Sequence, residues 1–225
     1  MTIGVVTGFK AEARIARGFK AARIATGAEP EAAARRLIAD GVRGLLSFGI
    51  AGGLKPGLGP GTMIVATEVI DASARFETAA AWRAALLSRL PGAQAGPLLG
   101  SDRVVATAAE KALLYRASEA LALDMESHAV ARAAAAAGLP FAALRVIADS
   151  AAASLPAVAR AALTDQGSIA VGRVLFGLLR RPSDLPALLR LGRDSRAALR
   201  ALAAGGEALA AGDGGPDAGL DLGLL

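Results

Sequence analysis

Short apolar runs alternate along the chain with stretches in which apolar residues recur every three or four positions. These are the two periods of buried strand and amphipathic helix. Ile3 to Thr7 reads as a strand, followed by a helix around Ala11 to Arg17. Pro30 suits a first helical turn and opens a helix that ends near Asp40-Gly41. Val42 to Phe48 is the next strand and runs into a loop, Gly49-Ile50-Ala51-Gly52-Gly53-Leu54. Thr62 to Ile70 is β-branched and strand-like. Phe76 to Leu90 predicts a helix with Trp82, Leu86, Leu87 and Leu90 on one side. Strands are expected near Leu98 to Ala106, Ala120 to Asp124 and Phe141 to Ala148, and a helix over Glu126 to Ala137. From Pro156 the pattern is helical to about Ala204, and the Gly- and Asp-rich tail from Gly205 is expected to fray.

Strands alternating with helices imply an α/β fold: a three-layer sandwich with a twisted, mostly parallel central sheet flanked by helices. The 225 residues suit one such domain, over 1–204, with a flexible tail over 205–225. Apolar residues make up 54% of the chain and charged residues 20%, ample for a packed core. Cysteine is absent, which removes disulfides, thiolate metal sites and cysteine nucleophiles, and agrees with a reducing compartment. No His/Asp/Glu cluster has metal-ligand spacing, so no metal is expected. The net charge is +5, but aromatics are only 4% and the arginines are scattered among alanines. Stacking platforms and groove readers need the opposite, so no nucleic-acid partner is expected. The N-terminus lacks the basic head and apolar stretch of a signal peptide, and no segment has the length and apolarity of a bilayer span.

In sheets of this type ligands gather beyond the carboxyl ends of the strands. Four segments fall there. Gly49 to Gly53 can bring backbone N–H groups close to a ligand, or can simply be a tight turn. Asp124-Met125-Glu126 can hold vicinal hydroxyls with a thioether against a sugar ring, or can be a helix N-terminus where acids are favoured. Asp149 ends an apolar strand and is placed for general acid work, or caps a helix starting in the alanines beyond Ser150. Glu12 comes after the first strand and can be a site residue or an exposed helix residue. The lone His128 reads as a packed or solvated helix histidine.

The order of these segments resembles the nucleoside phosphorylase and nucleosidase superfamily, most of all its methylthioadenosine/S-adenosylhomocysteine nucleosidase branch. Ile3-Gly4-Val5-Val6 through Glu12 is similar to that branch's opening strand and acidic helix. Ser47 to Leu54 is similar to its Gly-Ser-Ala-Gly-Gly loop, Asp124-Met125-Glu126 to its Glu-Met-Glu, and Arg145 to Asp149 to its Arg-x-Ile-Ser-Asp. The likeness spans residues 1 to about 175, with a shortened middle over 71–97. The compact middle and arginine-studded C-terminal helices resemble, more narrowly, the hopanoid-associated phosphorylases, thought to remove adenine from adenosylhopane.

The resemblance implies cleavage of the N-glycosidic bond of a 5′-substituted adenosine. Asp149 would protonate the purine at N7, and Glu126 and Met125 would hold the ribose. Glu12 would position the nucleophile. Ile50, Ala51 and Gly52 would line the substrate, and Val104 and Val105 would lie beside the base. Departures from the family pattern are Ile50 for its loop hydroxyl, Ser47 for the arginine of phosphorolytic relatives, and Ala148 for the serine before the acid. They weaken a standard phosphate pocket, yet Lys10, Arg14 and backbone groups at Gly8 can still attract phosphate, so water and inorganic phosphate both stay open as acceptor. No other cofactor is expected.

The partners implied are a small nucleoside, lipid-linked in the narrower case, and further copies of the chain. From Gly172 to Arg200 seven arginines face two aspartates among many leucines, so this segment can dock on an anionic membrane surface or pack on protein. The expected location is cytoplasmic, peripheral to the inner face of the membrane. A salvage methylthioadenosine/S-adenosylhomocysteine nucleosidase is the alternative on substrate. A non-catalytic, membrane-associated nucleoside-binding module is the alternative of another class.

Overall fold

A computed structural model describes residues 2–161 and 181–211. The elements are β1 (Ile3–Thr7), α1 (Lys10–Ala16), β2 (Ala22–Thr26), α2 (Pro30–Ala39), β3 (Leu45–Gly53), β4 (Met63–Ile70), β5 (Arg75–Glu77), α3 (Ala80–Arg89), β6 (Gln94–Gly100), α4 (Ala108–Ser118), β7 (Ala122–Asp124), α5 (Ser127–Ala136), β8 (Phe141–Asp149), α6 (Ala157–Ala161) and, after a single 3-10 turn, α7 (Leu185–Ala210).

The sheet is mixed but mostly parallel. β2, β1 and β3 run parallel, and β3 continues parallel to β8. β8 pairs antiparallel with β4, β4 parallel with β6, β6 parallel with β7, and β7 antiparallel with β3. Those five strands therefore close into a ring, with β2–β1 extending from one side and β5 from another. Closure leaves no free edge within the ring, so its strands can be apolar on both faces. β8 shows this: all its residues through Ala148 are buried.

Helices cover the sheet from two sides. One apolar cluster joins Ala33, Ala34 and Leu37 of α2 and Val130, Ala133 and Ala134 of α5 to Val6, Ala143 and Ile147. The other joins Trp82 and Leu86 of α3, Ala16 of α1, and Ala198, Leu202 and Leu209 of α7 to Val5, Phe48, Leu144 and Val146. Trp82 and Leu86 are fully buried, each contributing roughly 1.5–3 kcal/mol over an exposed position. Leu90 is also buried, whereas Leu87 is only half-buried.

Several expected boundaries move. The glycine run Gly49 to Gly53 is not a loop but the second half of β3, paired with β8 across an irregularity at Ala51/Gly52. Ladder pairing with β8 and, at Gly52 and Gly53, with β7 outweighs the low strand preference of glycine. The helix expected from Phe76 starts at Ala80, because Arg75 to Glu77 pair with β4. The strand expected over Leu98 to Ala106 is β6, ending at Gly100, so Val104 and Val105 lie in the loop beyond it. Three elements are additional to the expectation: β2, β5 and α4. Helix α7 continues through Gly205 to Ala210 instead of fraying, because Gly205 and Gly206 are buried against Met63 and Ile15, where side chains would collide. Residues 172–180 of the basic segment and 212–225 of the tail lie outside the described residues.

Candidate active site

Eight of the expected site residues line one cavity of about 190 Å³. Ile50, Ala51 and Gly52 from β3, Met125 and Glu126 between β7 and α5, and Asp149 at the end of β8 all line it. So do Val104 and Val105, with Phe9, Leu123 and Leu155 as apolar wall and Arg103 and Lys111 as the cations. Glu12, Gly8 and Lys10 are not among its lining residues.

The cavity rests on a buried ionic layer centred on Arg145. This side chain projects from β8 on the face that otherwise carries Phe141, Ala143 and Ile147, and it is fully buried. A guanidinium there must be matched by charge and hydrogen bonds. Its Nε lies 3.1 Å from Asp124 Oδ2, and its Nη1 lies 3.2 Å from Glu126 Oε2. It also donates to Ser127 Oγ at 3.1 Å and to Ser47 Oγ at 2.6 Å. Ser47, in place of an arginine, thus serves as an acceptor under the site. Asp124 has a second task, as its Oδ1 accepts the N–H groups of Glu126 and Ser127 at 2.8 and 2.6 Å and so starts α5. The helix-N-terminus reading holds for Asp124, while Glu126 is left to face the cavity.

Glu12 is buried, not an exposed helix residue. Its Oε2 accepts the N–H groups of Gly8 and Phe9, and its Oε1 that of Ile50, all at 2.9 Å. It therefore clasps the β1–α1 turn to β3 from beneath Ile50. Two glycines make room for this. A Cβ on Gly8 would lie 2.6 Å from Glu126 Oε1, and one on Gly49 would lie 2.6 Å from Glu12 Oε1. The expectation that Gly8 offers its N–H to phosphate is corrected, since Glu12 already takes it. Lys10 is exposed at the start of α1.

Three carboxylates around one guanidinium leave excess negative charge in a poorly solvated place. Burial pushes Glu126 up to about 7, against the pull of Arg145 and with the help of Asp124 and Glu12. Burial also raises Glu12, against Arg145 and its three backbone donors. Asp149 is raised by burial as well, opposed by Lys111. Lys111 is a site residue without a signal in the sequence. It sits on α4 and reaches Asp149 from 38 positions away. The reading of Asp149 as a cap does not hold, since the chain leaves β8 in a turn and not a helix. His128 is packed, with Nε2 2.9 Å from Asp102 Oδ1, and with Arg35 and Arg132 lines a neighbouring cavity of about 590 Å³ that shares Met125 with the first.

The chain belongs to the phosphorylase superfamily, whose family model matches residues 17–179. No curated protein sequence matches it. Among solved structures it is similar to Streptococcus pyogenes S-adenosylhomocysteine nucleosidase in complex with 5-methylthiotubericidin. The TM-score is 0.60 at 19% identity, over 68% of this chain and 85% of that one. Helicobacter pylori futalosine hydrolase gives a TM-score of 0.60 at 18% identity, over 68% and 86%. A mutant Helicobacter pylori MTAN with 5′-methylthioadenosine in the active site gives 0.62 at 16%, over 92% and 98%.

Proposed function

We propose that the protein cleaves the N-glycosidic bond of a 5′-substituted adenosine and releases adenine, with water as the acceptor. The observation that carries this reading is the single cavity shared by Asp149, Met125 and Glu126. Asp149, its carboxyl raised by burial, is the general acid that gives a proton to N7 as the base departs. Glu126 accepts the ribose hydroxyls, and Met125 packs on the sugar. The bond breaks through an oxocarbenium-like ribosyl cation, as in other glycoside hydrolyses. Glu12 serves the nucleophile's side from beneath the cavity, fixing the Gly8–Phe9 turn and the Ile50 N–H.

Water is favoured over phosphate by the charge balance. Among the described residues, the cations at the cavity are each matched by an acid: Arg145 by Asp124 and Glu126, Lys111 by Asp149, and Arg103 by Glu110 at 2.5 Å. A dianion would have to displace one of these partners. On the narrower family resemblance the substrate is adenosylhopane. The first half of α7 then lies on an anionic membrane, since it exposes Leu185 and Leu189 beside Arg190, Arg193 and Arg196.

The test is adenine release from adenosylhopane and from methylthioadenosine, each with and without phosphate. Release from adenosylhopane without phosphate is the expected result. Dependence on phosphate overturns the choice of water, and release from methylthioadenosine alone overturns the lipid-linked substrate. Release from neither overturns both substrates and favours the non-catalytic binding module.

A further inference from the structure

Lys111 is the buried cation lining the cavity, and the glycosidic reading gives it no part in the bond cleavage. It is the one buried residue of α4, whose first turn is capped by Thr107 accepting the Glu110 N–H at 3.2 Å. Its side chain is 2% exposed. The ammonium donates to Asp149 Oδ2 and, at 2.9 Å, to the carbonyl of Ser150. Two further bonds stitch the same segments together: Ala108 N–H to Ser154 Oγ and Leu155 N–H to Ala106 O, both at 2.9 Å. A lysine is rarely this buried, and its four-carbon stem adds nothing to packing that an apolar residue would not add at lower cost. The other oxygen of Asp149, Oδ1, stays on the side of Gly52, where a Cβ would meet it at 3.4 Å.

We propose that Lys111 is the positioning residue of the general acid: its ammonium holds Oδ2 of Asp149, leaves Oδ1 toward the cavity, and balances the charge that proton transfer leaves on the carboxyl. This role rests on the glycosidic reading of Asp149. As the ribose–N9 bond breaks, its electron pair passes to the base and the Asp149 proton moves to N7. The carboxylate formed is already in contact with a cation; water adds to C1′ of the ribosyl cation and releases a proton to solvent, and solvent returns one to Asp149 after adenine leaves. Burial alone would make Asp149 hold its proton too tightly, and Lys111 works against burial. The other charge acting on this carboxyl is Asp194 of α7, which adds to burial, and Arg103 and Glu126 line the same cavity.

The experiment is a carboxyl-carbon NMR titration of the ligand-free full chain, with Asp149 assigned by the resonance that Asp149→Asn removes. It is paired with the pH dependence of kcat and KM for adenine release. In Lys111→Met, Asp149 is expected to become an acid at least about tenfold weaker. The basic limb of kcat should move to higher pH with a lower plateau, while Lys111→Arg stays nearer the unmutated protein. An unchanged Asp149 titration in Lys111→Met, or equal losses in the Met and Arg variants with no movement of the limb, overturns the proposal. If Lys111→Met does not fold, the unmutated protein decides. The Lys111 ammonium nitrogen must then shift in step with the Asp149 carboxyl, and two unrelated titrations overturn the pairing. Adenine release by Asp149→Asn would sink the glycosidic role of Asp149, and the joint titration would still report on Lys111.

Discussion

Arg145 Nη1 lies 3.2 Å from Glu126 Oε2, so the carboxylate proposed to hold the sugar is anchored by a guanidinium with no exposure to water. The pair links the floor of the site to the core of the sheet. Replacing Arg145 by Met should therefore cost stability as well as activity. Asp124, Glu126 and Glu12 would face one another without a cation, a loss of about 3–5 kcal/mol. Urea unfolding of Arg145→Met measures it, and a loss below about 1 kcal/mol would mean that the carboxyls neutralise without strain.

Gly8 is the second support of Glu126. A Cβ there would come within 2.6 Å of Oε1. Gly8→Ala is expected to displace the carboxylate, with a stability cost of about 1–3 kcal/mol and a fall in kcat/KM. Steady-state kinetics and thermal melting of Gly8→Ala check this. Unchanged kcat/KM would show that Glu126 does not need this position.

Glu126 also predicts a pH dependence of stability. Its carboxyl titrates at about 7 in the folded protein against an ordinary value of 4.5. A carboxyl raised in this way stabilises the fold fully below about 4.5, and that stability is lost as pH rises to 7. The sign is set by the folded state binding the proton more tightly, so that the unfolded state releases it first. Glu12 and Asp149 are raised too and act in the same sense. Thermal melts between these pH values should show Tm falling as pH rises. In Glu126→Gln part of that slope should disappear, and an unaltered slope would remove Glu126 from this account.

Helix α7 divides into two halves of different character. Ala198, Leu202 and Leu209 are packed in the core, while Leu185 is 46% and Leu189 66% exposed. Among the described residues no helix is long and apolar enough to cross a membrane. If the first half docks on a surface, Leu185→Asn with Leu189→Asn should reduce co-sedimentation with anionic vesicles several-fold and leave the Tm unchanged. No difference from the unmutated protein would return these leucines to protein packing.

How far the sequence reaches is shown by the residues themselves. The β1, β4 and β8 strands and the α1, α2 and α5 helices are legible from local period and from proline and glycine placement, because burial on one or both faces writes itself into neighbouring positions. Asp149 and the Asp124-Met125-Glu126 run can be singled out from their places at strand ends, whereas Ile50 to Gly52 as substrate lining, and Val104 and Val105, are named only through the family resemblance; all but Glu12, Gly8 and Lys10 line one cavity. Weak local patterns hid β2, β5 and α4, which exist through pairing or docking with distant partners. The glycine run of β3 became strand for the same reason. The tertiary structure alone decided that five strands close into a ring, that Arg145 is the buried counterion, that Glu12 spends its oxygens on Gly8, Phe9 and Ile50, and that Lys111 meets Asp149. Each of these is a contact between residues far apart in the chain. Neither partner carries a mark of the other, since the charge of a lysine in a helix reads as solvated until the fold removes the water.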